Sequence, residues 1–197
     1  MLYIGGPASG KTSVYGRLGP APEAGYICVN VDEVRQRLPE YQQMVEAGDL
    51  DAALVTHDEA SDVAKRCIDL ALFLGRNLVV DAVGKDDRGQ LSAMLRALLD
   101  HGYSIMVRCV TVPVAIAEKR EKERAVSTGR TVPLDELVKG HQEVSRAFQS
   151  IIEFTGVRIE LYDTSGTEPR LIAERSNKDL VVVDSEIYDE FVKKGED

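Results

Sequence analysis

A chain of 197 residues with 44% hydrophobic and 29% charged side chains is of single-domain size and has enough apolar surface for a core, which excludes collagen and disorder. Its 24 lysines and arginines against 33 aspartates and glutamates leave a net charge of −9, which repels phosphate backbones and anionic lipid and argues against nucleic-acid and membrane partners. No apolar run approaches the ~20 residues of a membrane-crossing helix, and Leu2-Tyr3-Ile4 runs straight into glycines with neither the basic nor the hydrophobic region of a signal peptide. Cys28, Cys67 and Cys109, odd in number and each in an apolar segment, suit reduced core thiols, so the expectation is a cytoplasmic protein with one domain over 1–197.

In chain order, Leu2 to Ile4 reads as a short strand, Gly5 to Gly10 as a loop, and Lys11 to Leu18 as a helix stopped by Gly19-Pro20. Tyr26 to Asn30 predicts a second strand, after which Asp32 has the position and chemistry of an N-cap for a helix over 33–38 that Pro39 ends. Thr56-His57-Asp58-Glu59 has the form of a capping box. Behind it Ala60, Val63, Ala64, Cys67, Ile68, Ala71 and Leu72 recur at three and four residues, predicting a long amphipathic helix closed by Gly75. Leu78 to Val83 and Tyr103 to Val112 are apolar runs, with a helix between them carrying Leu91, Met94, Leu95 and Leu98. Two helices, Val114 to about Ser127 and Pro133 to about Thr155, flank a loop over 128–132. Val157 to Asp163 and Leu180 to Asp184 supply two more strands, and Glu186 to about Lys193 a terminal helix. Strands apolar on both faces and alternating with helices predict an α/β fold of P-loop NTPase type: a parallel sheet covered by helices on both faces, with a helical lid segment.

The stretch Gly5-Gly6-Pro7-Ala8-Ser9-Gly10-Lys11-Thr12 matches G-x-x-x-x-G-K-[ST] between a strand and a helix, the context this motif needs. Its glycines let successive N–H groups and the helix N-terminus face one anionic centre, which makes Gly5, Gly6, Pro7, Ala8, Ser9, Gly10, Lys11, Thr12 and Ser13 the candidate nucleotide-binding residues. Lys11 reaches for the β and γ phosphates, and Thr12 offers a hydroxyl to Mg²⁺. The guanine-reading Asn-Lys-x-Asp of GTPases is absent in register, because Asn177-Lys178-Asp179-Leu180 lacks the final aspartate. A small kinase is the economical reading.

Such a kinase needs a carboxylate for the acceptor hydroxyl and positive charge over the transferring phosphoryl group. Asp32, just past the second strand on the edge where open α/β sheets bind ligands, is the candidate base and substrate contact. Asp81, at the end of Leu78-Val79-Val80, places a second carboxylate on that edge, for Mg²⁺ or for substrate, and Lys85 adds a cation after Gly84. Among the charges of 118–130, Lys119 and Lys122 suit i,i+4 ion pairs on an exposed helix, whereas Arg120 and Arg124 share a face and Arg130 lies in a glycine-containing loop, as lid arginines would. His57, His101 and His141 are too dispersed for a metal triad.

With these residues in place the chain resembles the zeta toxin family of P-loop kinases. The resemblance rests on Gly5 to Thr12, Val29-Asn30-Val31-Asp32-Glu33, Leu38-Pro39-Glu40-Tyr41, His57-Asp58-Glu59-Ala60-Ser61, the 77–84 strand and turn, and Arg120-x3-Arg124-x5-Arg130 followed by Val132-Pro133. It implies ATP as phosphoryl donor, Asp32 as general base, Lys11 on the phosphates, lid arginines at Arg120 or Arg124 and at Arg130, and Tyr162-Asp163 near the nucleotide. It further implies a small-molecule hydroxyl acceptor, that of UDP-N-acetylglucosamine in the best-known members, and an antitoxin partner. Where those toxins carry Glu-Gly-Thr-Gly, this chain has Asp81-Ala82-Val83-Gly84, a shorter carboxylate and no hydroxyl. Kinases for antibiotics, nucleosides or modified DNA bases are alternatives within the same chemistry, and a nucleotide-dependent protein-interaction module is the rival from another class. The pairing of Asp32 with Arg130 favours catalysis over the last, since a switch needs no acceptor base.

Overall fold

The computed structural model describes residues 1–20, 24–49, 51–82, 84, 89–128, 132–176 and 178–196. Its elements, in chain order, are β1 (Leu2–Gly5), α1 (Lys11–Leu18), β2 (Ile27–Asn30), α2 (Val31–Arg35), α3 (Pro39–Glu46), α4 (Ala52–Val55), α5 (His57–Phe73), β3 (Leu78–Ala82), α6 (Gln90–Asp100), β4 (Ile105–Thr111), α7 (Val114–Thr128), α8 (Leu134–Ile151), β5 (Val157–Asp163), β6 (Arg170–Arg175), β7 (Val181–Val182) and α9 (Ser185–Lys193). They fall into two compact units, 1–19 with 82–197, and 20–81.

In the larger unit β1 is buried on both faces, Leu2, Tyr3 and Ile4 alike, as a continuous apolar run requires. It pairs parallel with β4, Leu2 opposite Val107 through Gly5 opposite Val110, and β4 pairs parallel with β5 from Ile105 and Val157 to Thr111 and Asp163. The parallel expectation ends there. Residues 170–175 form β6, antiparallel to β5, and β7 is antiparallel to β6, so the fold is a mostly parallel sheet flanked by helices. β6 escapes a periodicity reading because Arg170, Glu174 and Arg175 break its apolar run. One of these, Arg175, is buried and donates to the carbonyls of Ile152, Phe154 and Val157, whose acceptors lie far off in sequence.

In the smaller unit β2 pairs parallel with β3, and α5 lays Ala64 and Ala71 on Val29 and Leu78. The turn after α5 forms as the glycine predicts: Gly75 has φ 61°, its N–H bonds to Leu72, and that of Arg76 bonds to Ala71. Three local expectations are corrected. Asn30, and not Asp32, caps α2: its side-chain oxygen accepts from the N–H groups of Asp32 at 2.8 Å and Glu33 at 3.2 Å. The Thr56 box does not close, because the Thr56 hydroxyl donates backwards to the Ala52 carbonyl at 2.7 Å, capturing the α4 turn instead. The helix predicted over 33–38 instead runs Val31–Arg35, so Pro39 does not end α2 but opens α3, in keeping with proline's fitness for a first turn.

The cysteines also divide. Cys109 is buried, but Cys28 and Cys67 are exposed thiols. The period of a strand turns Cys28 away from Val29, whereas Cys67 keeps the helical register of Ala60, Ala64 and Ala71 and is exposed because it lines a cavity together with Cys28. Among the described residues no helix is long and apolar enough to cross a membrane.

Candidate active site

The loop between β1 and α1 is folded by its own glycines. Gly10 holds φ 86° as the N-cap of α1, and the N–H groups of Ser13 and Val14 return to its carbonyl at 3.0 and 3.2 Å. A Cβ on Gly5 would stand 2.4 Å from Ser9 Oγ, one on Gly6 2.8 Å from the His141 ring, and one on Gly10 3.0 Å from Thr164 Oγ1. Larger residues are therefore excluded by the protein itself. Helix α1 has no side-chain cap and no acidic residue in its first turn. Lys11 Nζ lies 2.9 Å from the Gly5 carbonyl, to which it donates, and Thr12 and Ser13 are exposed. Ser9 Oγ, in a residue 1% exposed, has no partner among the described residues. An uncapped positive helix end, a lysine and orphaned hydroxyl capacity fit a polyphosphate with its cation.

Three elements brace this loop. From the residue after β5, Thr164 donates its hydroxyl to the Ser9 carbonyl at 2.6 Å and its N–H to Thr111 O at 3.1 Å. From α7, Arg120 donates to the Thr164 carbonyl and, at 3.3 Å, to its hydroxyl, which sets the guanidinium beside Gly10. From α8, His141 reaches the Pro7 carbonyl at 3.0 Å. The structure thus separates the two candidate arginines of α7: Arg120 reaches the loop, whereas Arg124 is ion-paired to Glu121 at 2.7 Å, in the carboxylate that also accepts from Val132 N–H. Lys122 pairs with Glu118 four residues back, the helix-surface role its spacing predicts. Asp163 ends β5 next to Thr164 and accepts from Ser165, while Tyr162 turns to Glu160, its phenol pushed up to about 12 by burial and that carboxylate. Lys85 and Arg130 lie outside the described residues.

Burial, reinforced by the charges of Lys194 and Lys11, lowers the His141 pKa to about 4 from 6.5, against the opposing pull of the Pro7 carbonyl. The folded protein therefore keeps this imidazole neutral where the unfolded chain takes up a proton. Stability from this group is fully present above pH 6.5 and is lost as pH falls towards 4, a total of roughly 3 kcal/mol. Chemical denaturation at pH 7 and pH 4.5 should show a smaller acid loss for His141→Gln than for the parent, the difference isolating this residue from the carboxylates.

In the smaller unit the candidate carboxylates are tied to one residue. Asn30 donates through Nδ2 to Asp81 Oδ2 at 2.9 Å while its oxygen caps the turn holding Asp32, and the two strands set Asn30 opposite Asp81. Asp32 is ion-paired to Arg35, whose side chain is 4% exposed against 55% for Asp32. The same guanidinium lies 3.0 Å from His57 Nδ1, which must accept because a guanidinium only donates. Cys28, Asn30, Glu33, Val34, Arg37, Leu38, Val63 and Cys67 line a cavity of about 440 Å³, within the range of small-molecule sites. No cluster of three His, Cys, Asp or Glu side chains suited to a metal occurs among the described residues.

Arg35 and Thr164 are missed by reading along the chain, and His141 enters there only as a histidine too far from the others for a metal triad. A glycine inside a helix, Gly140, is the one local signal, since it marks a close approach. A Cβ there would meet Pro7 Cδ at 2.6 Å.

A strand, a glycine loop and an uncapped helix in a mostly parallel sheet define a P-loop protein of the α/β class. The family model for zeta toxin matches residues 1–181, so the chain belongs to the zeta toxin family. No curated protein matches it in sequence. Among solved structures, the AvrRxo1-ORF1:-ORF2 complex with ATP contains a chain matching 97% of this one at 17% identity and TM-score 0.75. The same complex with sulphate ions matches at 18% identity and TM-score 0.74. The present chain spans 62% of that AvrRxo1 chain. A structure of the PezAT chromosomal toxin-antitoxin system of the human pathogen Streptococcus pneumoniae matches 99% of this chain and 85% of its own, at 16% identity and TM-score 0.67. At such identities the likeness is one of fold.

Proposed function

We propose that the chain, acting as one kinase domain over 1–197, transfers the γ-phosphate of ATP to a hydroxyl of a small molecule, a nucleotide sugar such as UDP-N-acetylglucosamine. The observation that carries this reading is the Gly5 to Ser13 loop, with Lys11 at its mouth and an α1 N-terminus that no side chain caps. Family membership and the ATP named for the AvrRxo1 complex support the donor. ATP bound at the loop supplies the phosphoryl group, whose bond to the ADP oxygen breaks as the acceptor oxygen attaches. Lys11 and the loop N–H groups hold the β and γ phosphates, and the Thr12 hydroxyl holds Mg²⁺. Asp32 takes the proton of the acceptor hydroxyl, oriented by its ion pair with Arg35. Asp81 holds Mg²⁺ or the acceptor, Lys85 adds charge for the acceptor, and Arg130 joins Arg120 on the phosphoryl group. An antitoxin partner is proposed on the strength of the PezAT likeness.

The test is transfer of labelled γ-phosphate to a panel of UDP-N-acetylglucosamine, other nucleotide sugars, nucleosides, aminoglycosides and hydroxymethylated DNA. Labelling of a nucleotide sugar supports the reading. ATP binding without transfer to any of them would instead favour a nucleotide-dependent interaction module.

The two α7 arginines should separate in such an assay. Arg120→Lys keeps a charge but loses the planar fork that spans Thr164, so turnover should fall by roughly tenfold or more with a smaller change in acceptor KM. Arg124→Ala should stay within about threefold of the parent, because its guanidinium is committed to Glu121. Equal losses in both variants would return the arginine assignment to an undivided helix face.

A further inference from the structure

Helix α8 touches the phosphate loop at two successive residues. The Gly140 backbone admits the Pro7 ring, to which a Cβ would come within 2.6 Å at Cδ, and the His141 ring fills the space that a Gly6 side chain would need, 2.8 Å from a built Cβ. His141 Nε2 lies 3.0 Å from the Pro7 carbonyl. A carbonyl can only accept, so this nitrogen carries the proton and Nδ1 does not. The next residue, Ala8, has φ 54° and is the one non-glycine residue with positive φ among those described. An alanine in that region persists where its surroundings over-determine it. The bond to the preceding carbonyl and the ring against Gly6 are placed to do so, since both act on the peptides that lead into Ala8.

We propose that His141 is a positioning residue for nucleotide binding, holding the Pro7–Ala8 peptide of the phosphate loop in the conformation that aims its N–H groups at the phosphates; this rests on the loop binding ATP. His141 is 2% exposed and its ring packs against Gly6 and Pro7, so it acts through these two residues and not on the nucleotide. The charged groups near it are Lys11 of α1 and Lys194 after α9, and together with burial they keep the ring neutral. A neutral imidazole retains the single Nε2 donor that the carbonyl requires.

The experiment compares His141→Leu, of similar volume without a donor, and His141→Gln, whose amide nitrogen has a reach close to Nε2. Equilibrium binding of ATP, thermal melting and the kcat and KM for ATP are measured on each. For the leucine variant the ATP dissociation constant should rise about tenfold or more per folded molecule, with KM moving further than kcat, and the glutamine variant should stay within about threefold of the parent. A lowered melting temperature with unchanged ATP affinity in His141→Leu would overturn the proposal, as would a glutamine variant as weak as the leucine one. Should the leucine variant not fold, Gly140→Ala tests the same device from the opposite side: alanine suits a helix, but its Cβ presses on Pro7. It should weaken ATP binding per folded molecule, and parental ATP affinity there would overturn the proposal. If the parent protein itself fails to bind ATP, the nucleotide assignment of the loop falls, an outcome distinct from the failure of His141's role.

Discussion

Lys11→Ala should abolish productive ATP binding, with the dissociation constant rising by about a hundredfold or more and phosphoryl transfer falling to background. The lysine is the loop's one side-chain cation, and it follows directly on the uncapped start of α1. Its ammonium donates to the Gly5 carbonyl at 2.9 Å, which holds the stem along the loop with the charge at its mouth. Alanine leaves the helix N-terminus and backbone donors in place but removes the full charge that two neighbouring phosphates require. The structural cost is separate and small, about 1 kcal/mol for a lost hydrogen bond to a carbonyl. Isothermal titration with a non-hydrolysable ATP analogue, alongside a thermal melt, distinguishes the two. A variant with the parent's melting temperature and the parent's affinity would remove the nucleotide from this loop.

Asp32→Asn should lower turnover by about a hundredfold or more while leaving ATP affinity within a few-fold of the parent. Because Asn30 supplies the cap of α2, the substitution does not unmake the turn. It does replace the carboxylate facing Arg35 by a neutral amide. Breaking a fully buried ion pair costs about 3–5 kcal/mol, but Asp32 is 55% exposed and its replacement still offers an oxygen to the guanidinium, so a smaller loss of stability is expected. Steady-state kinetics at saturating ATP, normalised to the folded fraction, isolate the chemical effect. Should turnover per folded molecule match the parent, Asp32 serves only to hold Arg35, and the acceptor base must be sought elsewhere. An Arg35→Gln variant adds a check, since loss of the partner that orients Asp32 should reduce turnover without removing the carboxylate.

Much of this architecture is legible along the chain where the governing interactions are local. The glycine loop and helix α1 follow from sequence spacing because a left-handed Gly10 and the hydrogen bonds back to its carbonyl involve residues at most four apart. The alternation of apolar strands and amphipathic helices likewise depends on period alone and marks the α/β class before any contact is known. Helix α5 keeps its inward alanines and its Gly75 stop for the same reason.

Where two neighbouring residues compete for one role, local reading has no means to choose. Asn30 and Asp32 are both good caps, and the choice falls to Asn30 because it ends β2 opposite Asp81, where one amide bonds the strand partner and the helix start together. Asp32 is thereby released to pair with Arg35. Arg120 and Arg124 are alike in sequence and four residues apart on one helix. What separates them is Thr164, more than forty positions away, which takes Arg120 to the loop and leaves Arg124 with Glu121.

The amino-acid order by itself determined the phosphate loop, the α/β alternation and the inventory of charged groups, because each rests on neighbours within a turn or a strand. The braces on that loop, His141 from α8, Thr164 just after β5 and Arg120 from α7, were decided only by the tertiary structure. A hydrogen bond between residues 134 or 155 positions apart leaves no periodic trace in sequence; it exists once parallel strands and their covering helices bring those segments to one edge of the sheet.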